Sequence, residues 1–357
     1  MKKINRKKIL KLSGFGILAF MISCTGIPLV KKWMFSYVRN NHLKTIRKGY
    51  KGNLIIKGRF INDKRIIISW LNAIKWAISK NPQAKEKKNN LFQLKIIKNS
   101  PLSNIKKDAI IWLGHSTFFI RLNGKNIITD PCLFKLPFIK RLIDTSCDSN
   151  EITNIDYLLI SHSHRDHLDS NSIRNLNLKG TTALLPLRLG ETVKSINNDI
   201  IVQEAGWFQQ YITDKIEIYL LPAQHWSQRG ISDINKTLWG SYIIRSKNKT
   251  IFFGGDTAFS SHFKDINAHF PKINYCLLPV GAYKPEYVMK NKHMSPREAV
   301  KAFHVLGGKT MIPMHFATFD LSDEPPGEPV HILNDLHNQK KILGNLVMLN
   351  VREIFYI

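Results

Sequence analysis

The chain has 357 residues, 43% of them hydrophobic, with no internal repeat and no long low-complexity segment. That composition suits one large globular core or two domains and excludes disordered, fibrous and solenoid classes. The formal net charge of +27 is unevenly spread: residues 1–107 hold 26 lysines and arginines against two acids, Asp63 and Glu86, hence +24, while residues 108–357 hold 27 bases against 24 acids, hence +3. Such an asymmetry points to an anionic partner surface, membrane or nucleic acid. A Lys/Asn/Ile-rich bias explains the lysines but not the missing acids.

Residues 1–30 read as a signal peptide or membrane anchor. "MKKINRKK" is a basic start, and Leu12 to Val30 is a 19-residue run without charge. That length is near the ~20 residues that span a bilayer and also fits a signal peptide. "MISC", ending at Cys24, loosely resembles a bacterial lipoprotein cleavage site, and a retained signal anchor stays open beside it. Six Lys/Arg lie in residues 2–11 and seven in 31–51, so charge does not decide the orientation. Membrane association through this segment is expected, with the side of the membrane left open.

Residues 31–107 form a basic N-terminal extension: an amphipathic stretch near 33–46, "KGRFIND", a helix expected over 67–78, and a polar linker at 81–90. From Asp108 to residue 357 the pattern changes to many short apolar strands, a catalytic domain in outline. "DAIIWLG" and "TFFIRL" flank His115, and "KNIITD" ends at Asp130. Cys132, Cys147 and Cys276 form no C-x-x-C pair; Cys276 reads as a buried strand residue, and Cys132 with Cys147 could pair in an oxidising compartment.

"IDYLLI" then runs into "SHSHRDHLD", residues 161–169. His162 and His164 are two apart and point the same way in an extended segment. Asp166 and His167 follow in a tight turn that faces a second nearby point. Imidazole and carboxylate are usual zinc ligands, so the H-x-H-x-D-H spacing suggests two metals. Three further apolar strands end in metal-capable residues, at His225, Asp256 and His315. Side chains from distant strands converge when the strands share sheets and end at one rim. Between them a helix is expected over 296–306, with Ser295 and Glu298 as a capping box, Pro296 at its first position and Gly307-Gly308 after it.

The segments "WLGHSTFFIRLNGKNIITDP", "LLISHSHRDHLDSNSI", "LPAQHWSQRG", "LWGSYII", "FFGGDTAFS", "LPVGAYKPEYVMKNKHMSPREAV" and "MHFATFDLSDEPPGEP" together resemble the N-acyl-phosphatidylethanolamine-hydrolysing phospholipase D family, in the metallo-β-lactamase fold superfamily. The H-x-H-x-D-H loop specifies only the superfamily; "AQHW", "LWGS" and "GAY-P" with "MK--H" are specific to this branch. The resemblance runs from about Gly58 to near the C-terminus. It implies an αββα sandwich, two mixed β-sheets between helical layers, behind the basic extension. It also implies two zinc ions per chain, with His162, His164 and His225 at the first, Asp166, His167 and His315 at the second, and Asp256 bridging them. A bridging hydroxide would attack the phosphodiester of a membrane phospholipid and give phosphatidic acid and an N-acylethanolamine. True β-lactamases typically carry Cys in the second-metal set; Asp256 at the bridge argues for phosphoesters. His293 matches an active-site histidine of the family, which would contact phosphate or protonate the departing alkoxide. His115 is expected to line the site, and Asp130 to orient a ligand histidine. The catalytic candidates are therefore Asp166, Asp256, His293 and His115.

The expected partners are a phospholipid substrate and an anionic membrane surface. No nucleic acid is expected, because the basic region adjoins an apolar segment and lacks an aromatic-interleaved RNA motif. A homo-oligomer is compatible with the sequence. The alternative reading is a hydrolase of the same fold acting on another phosphodiester or on a lactone. Residues 131–150 are shorter than the family pattern and the chain before residue 58 does not match it, which leaves acyl specificity open.

Overall fold

A computed structural model describes residues 35–62, 66, 69–98, 102–144 and 147–357. The anchor or signal expected over 1–30, with Cys24, lies outside the described residues. Among the described residues no helix is long and apolar enough to cross a membrane.

Two sheets form the centre. One has seven strands in the order Ile201–Ala205, Thr182–Pro186, Tyr157–Leu159, Lys125–Thr129, Phe118–Leu122, Ala109–Trp112 and Ile354–Tyr356. The other has eight: Asn345–Leu346, Gly308–Met314, Ile273–Pro279, Thr250–Phe253, Ser241–Arg245, Glu217–Leu221, Gln209–Gln210 and Lys44–Thr45. Both are mixed. Thr250–Phe253, Ile273–Pro279, Gly308–Met314 and Asn345–Leu346 pair in parallel, while Thr250–Phe253, Ser241–Arg245 and Glu217–Leu221 pair antiparallel.

The first sheet is buried on both faces, and its pleat sorts side chains accordingly. Ile110, Trp112, Phe118 and Ile120 point between the sheets, while the intervening Ala109, Ile111 and Phe119 point to the outer layer. There they meet Ile173 and Val193 of the helices Ser170–Asn175 and Gly190–Ile196. Continuous apolar runs, rather than alternating ones, are what such two-sided burial requires. The helix Pro296–Val305 packs on Ile273–Pro279 and Gly308–Met314 from the other side, beside helices His262–His269 and Glu328–Asn338. The αββα order expected from the sequence is therefore the observed one.

The core does not follow the change of charge at residue 107. Leu43, Ile55 and Phe60 belong to the inter-sheet cluster, and Lys44–Thr45 completes the edge of the second sheet by pairing with Gln209–Gln210. Residues 35–60 also form a small antiparallel sheet of Phe35–Val38, Asn53–Ile56 and Arg59–Phe60. The basic extension is thus built into the fold of residues 108–357, because its few apolar side chains cover that core. The 67–78 helix is observed as Trp70–Ile78, started by the Ser69 side chain accepting from the Asn72 amide. Cys132, Cys147 and Cys276 are buried, and the Cys132–Cys147 pairing that the sequence allowed is not formed.

Candidate metal centre

Strand direction explains why distant residues meet. Ala109–Trp112, Lys125–Thr129 and Tyr157–Leu159 run the same way, and each ends at the same edge of the first sheet. Their next residues are His115, Asp130 and the 162–167 loop. Glu217–Leu221, Thr250–Phe253, Ile273–Pro279 and Gly308–Met314 share one direction in the second sheet. They deliver His225, Asp256, His293 and His315.

All seven expected ligands come together, with His115 and His293. His162, His164, His225 and Asp256 place one ligand atom each within 4.8 Å of one another, and so do His115, Asp166, His167 and His315. Asp256 joins the two groups. Its carboxylate lies 3.7 Å from His225 Nε2, 4.0 Å from His162 Nε2, 3.2 Å from His167 Nε2 and 3.0 Å from His315 Nε2. Its Oδ2 is also 3.7 Å from His293 Nδ1. Asp166 Oδ2 lies 3.6 Å from His167 Nε2, 3.8 Å from His315 Nε2 and 3.1 Å from His115 Nε2.

Outer partners fix the rings. Asp130 Oδ2 accepts from His167 Nδ1 at 2.7 Å, which turns Nε2 toward Asp256 and Asp166. Asp130 is itself held by the Ser161 amide and hydroxyl, at 2.6 and 2.5 Å. His225 Nδ1 donates to the Lys292 carbonyl at 2.8 Å, so His225 Nε2 faces the cluster. The Trp226 ring lies edge-on to His164 with centroids 4.6 Å apart. Asp130 was legible beforehand as an orienting group; Ser161, Lys292 and Trp226 were not singled out. Lys292 acts through a backbone carbonyl, which no residue type announces.

Two backbone features bring the rims close. Gly255 has φ +55°, and a Cβ there would stand 2.6 Å from Ser161 Cβ. A Cβ on Gly281 would stand 2.1 Å from the His315 carbonyl oxygen. His115 and His315 themselves adopt φ of 52° and 61°, strain that clusters at functional sites. The His315 amide donates to the His115 carbonyl at 2.9 Å and locks the two turns together.

The residues fit a pair of divalent cations. His167 Nε2, Asp256 Oδ1, His293 Nδ1 and His315 Nε2 are buried with no hydrogen-bond partner, and His164 turns its Nδ1 to within 2.8 Å of His162 Nε2 and 3.3 Å of His225 Nε2. The short His–Asp256 distances are therefore contacts without hydrogen-bond alignment, in which lone pairs face a common point. Buried orphan polar atoms are costly, and so many together call for an ion. Burial lowers the pKa of His115 to about 3, of His164 to about 4 and of His293 to about 3. It also lowers His162 and His225. These imidazoles are neutral at neutral pH, the form that ligates. His167 is the exception: burial opposes its charge, but Asp256, Asp166 and the bond to Asp130 outweigh it and raise its pKa well above the ordinary value. The carboxylates that favour a proton there would equally favour a metal cation.

Residues 125–316, more than half of the chain, match the family model described as a beta-lactamase superfamily domain. An uncharacterized protein of Mycobacterium tuberculosis is 33% identical over 237 residues, 63% of each chain. The chain thus spans somewhat under two thirds of the length of that relative. The N-acyl-phosphatidylethanolamine-hydrolyzing phospholipase D 1 of Caenorhabditis elegans is 30% identical over 260 residues, 67% of this chain and 72% of that one. Among solved structures, an isothiocyanate hydrolase from Delia radicum gut bacteria superposes with TM-score 0.57 at 14% identity, over 70% of this chain and 99% of that one. Igni18, a metallo hydrolase from Ignicoccus hospitalis, gives TM-score 0.53 at 20% identity, over 71% and 99%.

Proposed function

The chain belongs to the beta-lactamase superfamily, with the metallo-β-lactamase fold and a phospholipase D of the N-acyl-phosphatidylethanolamine type among its relatives, and on that premise we propose that it is a zinc-dependent phosphodiesterase of membrane phospholipid. Its products are phosphatidic acid and an N-acylethanolamine. The observation that carries the metal-dependent reading is the set of buried, unpartnered imidazole and carboxylate atoms shared around Asp256. The all-nitrogen-and-oxygen donor set suits zinc. The choice of lipid rests on the C. elegans relative.

His162, His164 and His225 would hold one ion, Asp166, His167 and His315 a second, and Asp256 both. Two such ions supply acidification of a water at neutral pH and neutralisation of charge on the phosphoryl oxygens. The remaining work belongs to the chain. Asp130 keeps the His167 proton on Nδ1, and the Lys292 carbonyl does the same for His225, so both present Nε2 inward. His115 holds Asp166 by a 3.1 Å contact and limits its rotation. His293, neutral because it is buried, can donate one N–H to a phosphoryl oxygen; of the two roles its match suggested, burial favours phosphate contact over acid catalysis.

The test is to incubate the purified, zinc-loaded chain with a panel of phospholipids, a lactone and a nucleotide phosphodiester, and to read products by mass spectrometry. Release of N-acylethanolamine with matching phosphatidic acid is expected. Turnover of the lactone or the nucleotide alone would replace the lipid reading with the other-substrate reading.

A further inference from the structure

The helix Trp70–Ile78 is inverted with respect to an ordinary surface helix. Its polar groups face the protein. Asn72 Nδ2 donates to the Tyr287 carbonyl at 3.3 Å, and Trp76 Nε1 donates to Asp323 Oδ1 at 2.9 Å. Its apolar groups face water: Leu71 is 79% exposed, Ile74 57% and Ile78 79%, at positions i, i+3 and i+7 of one face. Tyr287, 44% exposed, extends this patch. Surface helices of soluble proteins bury such a stripe.

The helix also rests on two segments that carry residues of the metal centre. It leans on the loop 280–293 through Asn72, with Lys75 Nζ 5.1 Å over the Tyr287 ring. That loop ends in Lys292, whose carbonyl holds His225, and in His293. Trp76 and Asn81 bind Asp323, on the loop that begins at His315.

We propose that the outward face of Trp70–Ile78 is a membrane-docking surface that seats the metal-centre mouth on a lipid bilayer, a reading that rests on the phospholipid substrate proposed above. Charge complementarity favours this occupant. Lys75 is exposed on the helix itself and Lys80, Lys85 and Lys88 are exposed in the ten residues that follow it, and an anionic headgroup layer matches an apolar face with lysines close by in the chain. At nine residues the helix is too short to span a bilayer and suited to lie in its interface. The uncharged run Leu12–Val30 in the same chain also points to a membrane. A second copy of the chain is a poorer occupant. Three exposed side chains and a tyrosine fall far short of the ~1,200 Å² that a stable interface buries.

The test uses the full chain with Cys24→Ser and one added cysteine, Ile74→Cys or Asn248→Cys, carrying an environment-sensitive dye. Asn248 is exposed in the turn between Ser241–Arg245 and Thr250–Phe253, at the sheet end away from the metal centre. The protein is placed in vesicles of phosphatidylcholine and phosphatidylglycerol, with and without acyl-chain spin-labelled lipid. Quenching at position 74 and none at 248 is expected. Equal quenching at both, or a dye at 74 that is shielded from aqueous iodide yet unquenched by lipid, overturns the proposal; the second result would mean that another copy or the chain's own N-terminal residues cover the helix. The triple variant Leu71→Ser/Ile74→Ser/Ile78→Ser should lower the ratio of activity on vesicles to activity on detergent-dispersed lipid by about tenfold. An unchanged ratio also overturns it. Quenching at 74 in a protein that hydrolyses no phospholipid would sink the substrate reading and leave the docking surface standing.

Discussion

Asp256 is the residue on which the two ligand groups meet, and its role separates charge from shape. Burial disfavours its carboxylate, but His167, His315 and His293 outweigh that and hold its pKa well below the ordinary range. Asp256→Asn keeps the shape and removes the charge. We expect the variant to keep its circular dichroism spectrum, to bind fewer metal ions by elemental analysis, and to lose more activity than the ~10–100-fold that loss of an outer partner costs. A folded variant with full metal content and activity would remove Asp256 from the bridge. His262 tests the acid side of stability without touching a ligand. It is buried, bonds Thr257 Oγ1 at 3.1 Å, and burial lowers its pKa from 6.5 to about 3. Below pH 6.5 the unfolded chain takes up a proton that the folded chain refuses until about pH 3, so this contribution is present above 6.5 and is lost as the pH falls through that window. For His262→Gln, denaturant titrations between pH 6 and 4 should show a slope of stability against pH shallower by about 1.4 kcal/mol per pH unit, one proton's worth. Protonation of the metal ligands is common to both proteins and drops out of the difference. Identical slopes would place the buried proton elsewhere.

The elements show what the sequence could and could not reveal. The helix Pro296–Val305 was legible because its start is local chemistry: Ser295 and Glu298 form the expected capping box, and Gly307 follows at φ +65°. The strands were legible as apolar runs, and the ligands as the residues where those runs end. Pairing order was not, since it depends on contacts between segments far apart in the chain. The edge strand Lys44–Thr45 is two residues long and carries no periodicity of its own; only Gln209–Gln210 across from it makes it a strand. Close approach was equally hidden. Gly281 reads as an ordinary loop glycine in "PVGAY", yet it lies where two parallel strands turn into the metal centre, against the His315 carbonyl. Gly281→Ala has no room to relax against backbone. It should push the His315 turn out of line and weaken metal retention by an order of magnitude or more, at the scale of a disturbed ligand orientation. Competition with a chelator, followed by absorbance of a zinc-sensitive dye, measures this. Unchanged retention with an unchanged melting temperature would show that the turn yields at little cost.

At the scale of the whole molecule, the basic field and the core divide the chain differently. Residues 31–107 carry 20 lysines and arginines and two acids, a charge of +18, yet they contribute Leu43, Ile55 and Phe60 to the inter-sheet core. Any truncation that removes Leu43 and Lys44–Thr45 would open the sheet edge as well as remove charge. A chain beginning at Lys31 keeps every described element and drops the uncharged run together with the six Lys/Arg that precede it, leaving the +18 of residues 31–107, so it separates attachment by the first thirty residues from attachment by that remaining basic field. Burial of an apolar run is not screened by salt, whereas attraction of lysines to anionic lipid, of order ~1 kcal/mol for each one near the surface, weakens as added salt shortens the Debye length from ~10 Å at 0.1 M to ~3 Å at 1 M. The full chain should therefore stay with vesicles of either charge at both salt concentrations. The chain from Lys31 should prefer anionic over neutral vesicles at low salt and lose most of that preference at high salt, because its field comes from exposed lysines whose interactions run through water. Co-sedimentation at the two salt concentrations reads both proteins. Equal binding of the shorter chain to neutral and anionic vesicles, insensitive to salt, would mean that the split between +24 before residue 108 and +3 after it is a compositional bias, and that attachment rests on apolar surface alone.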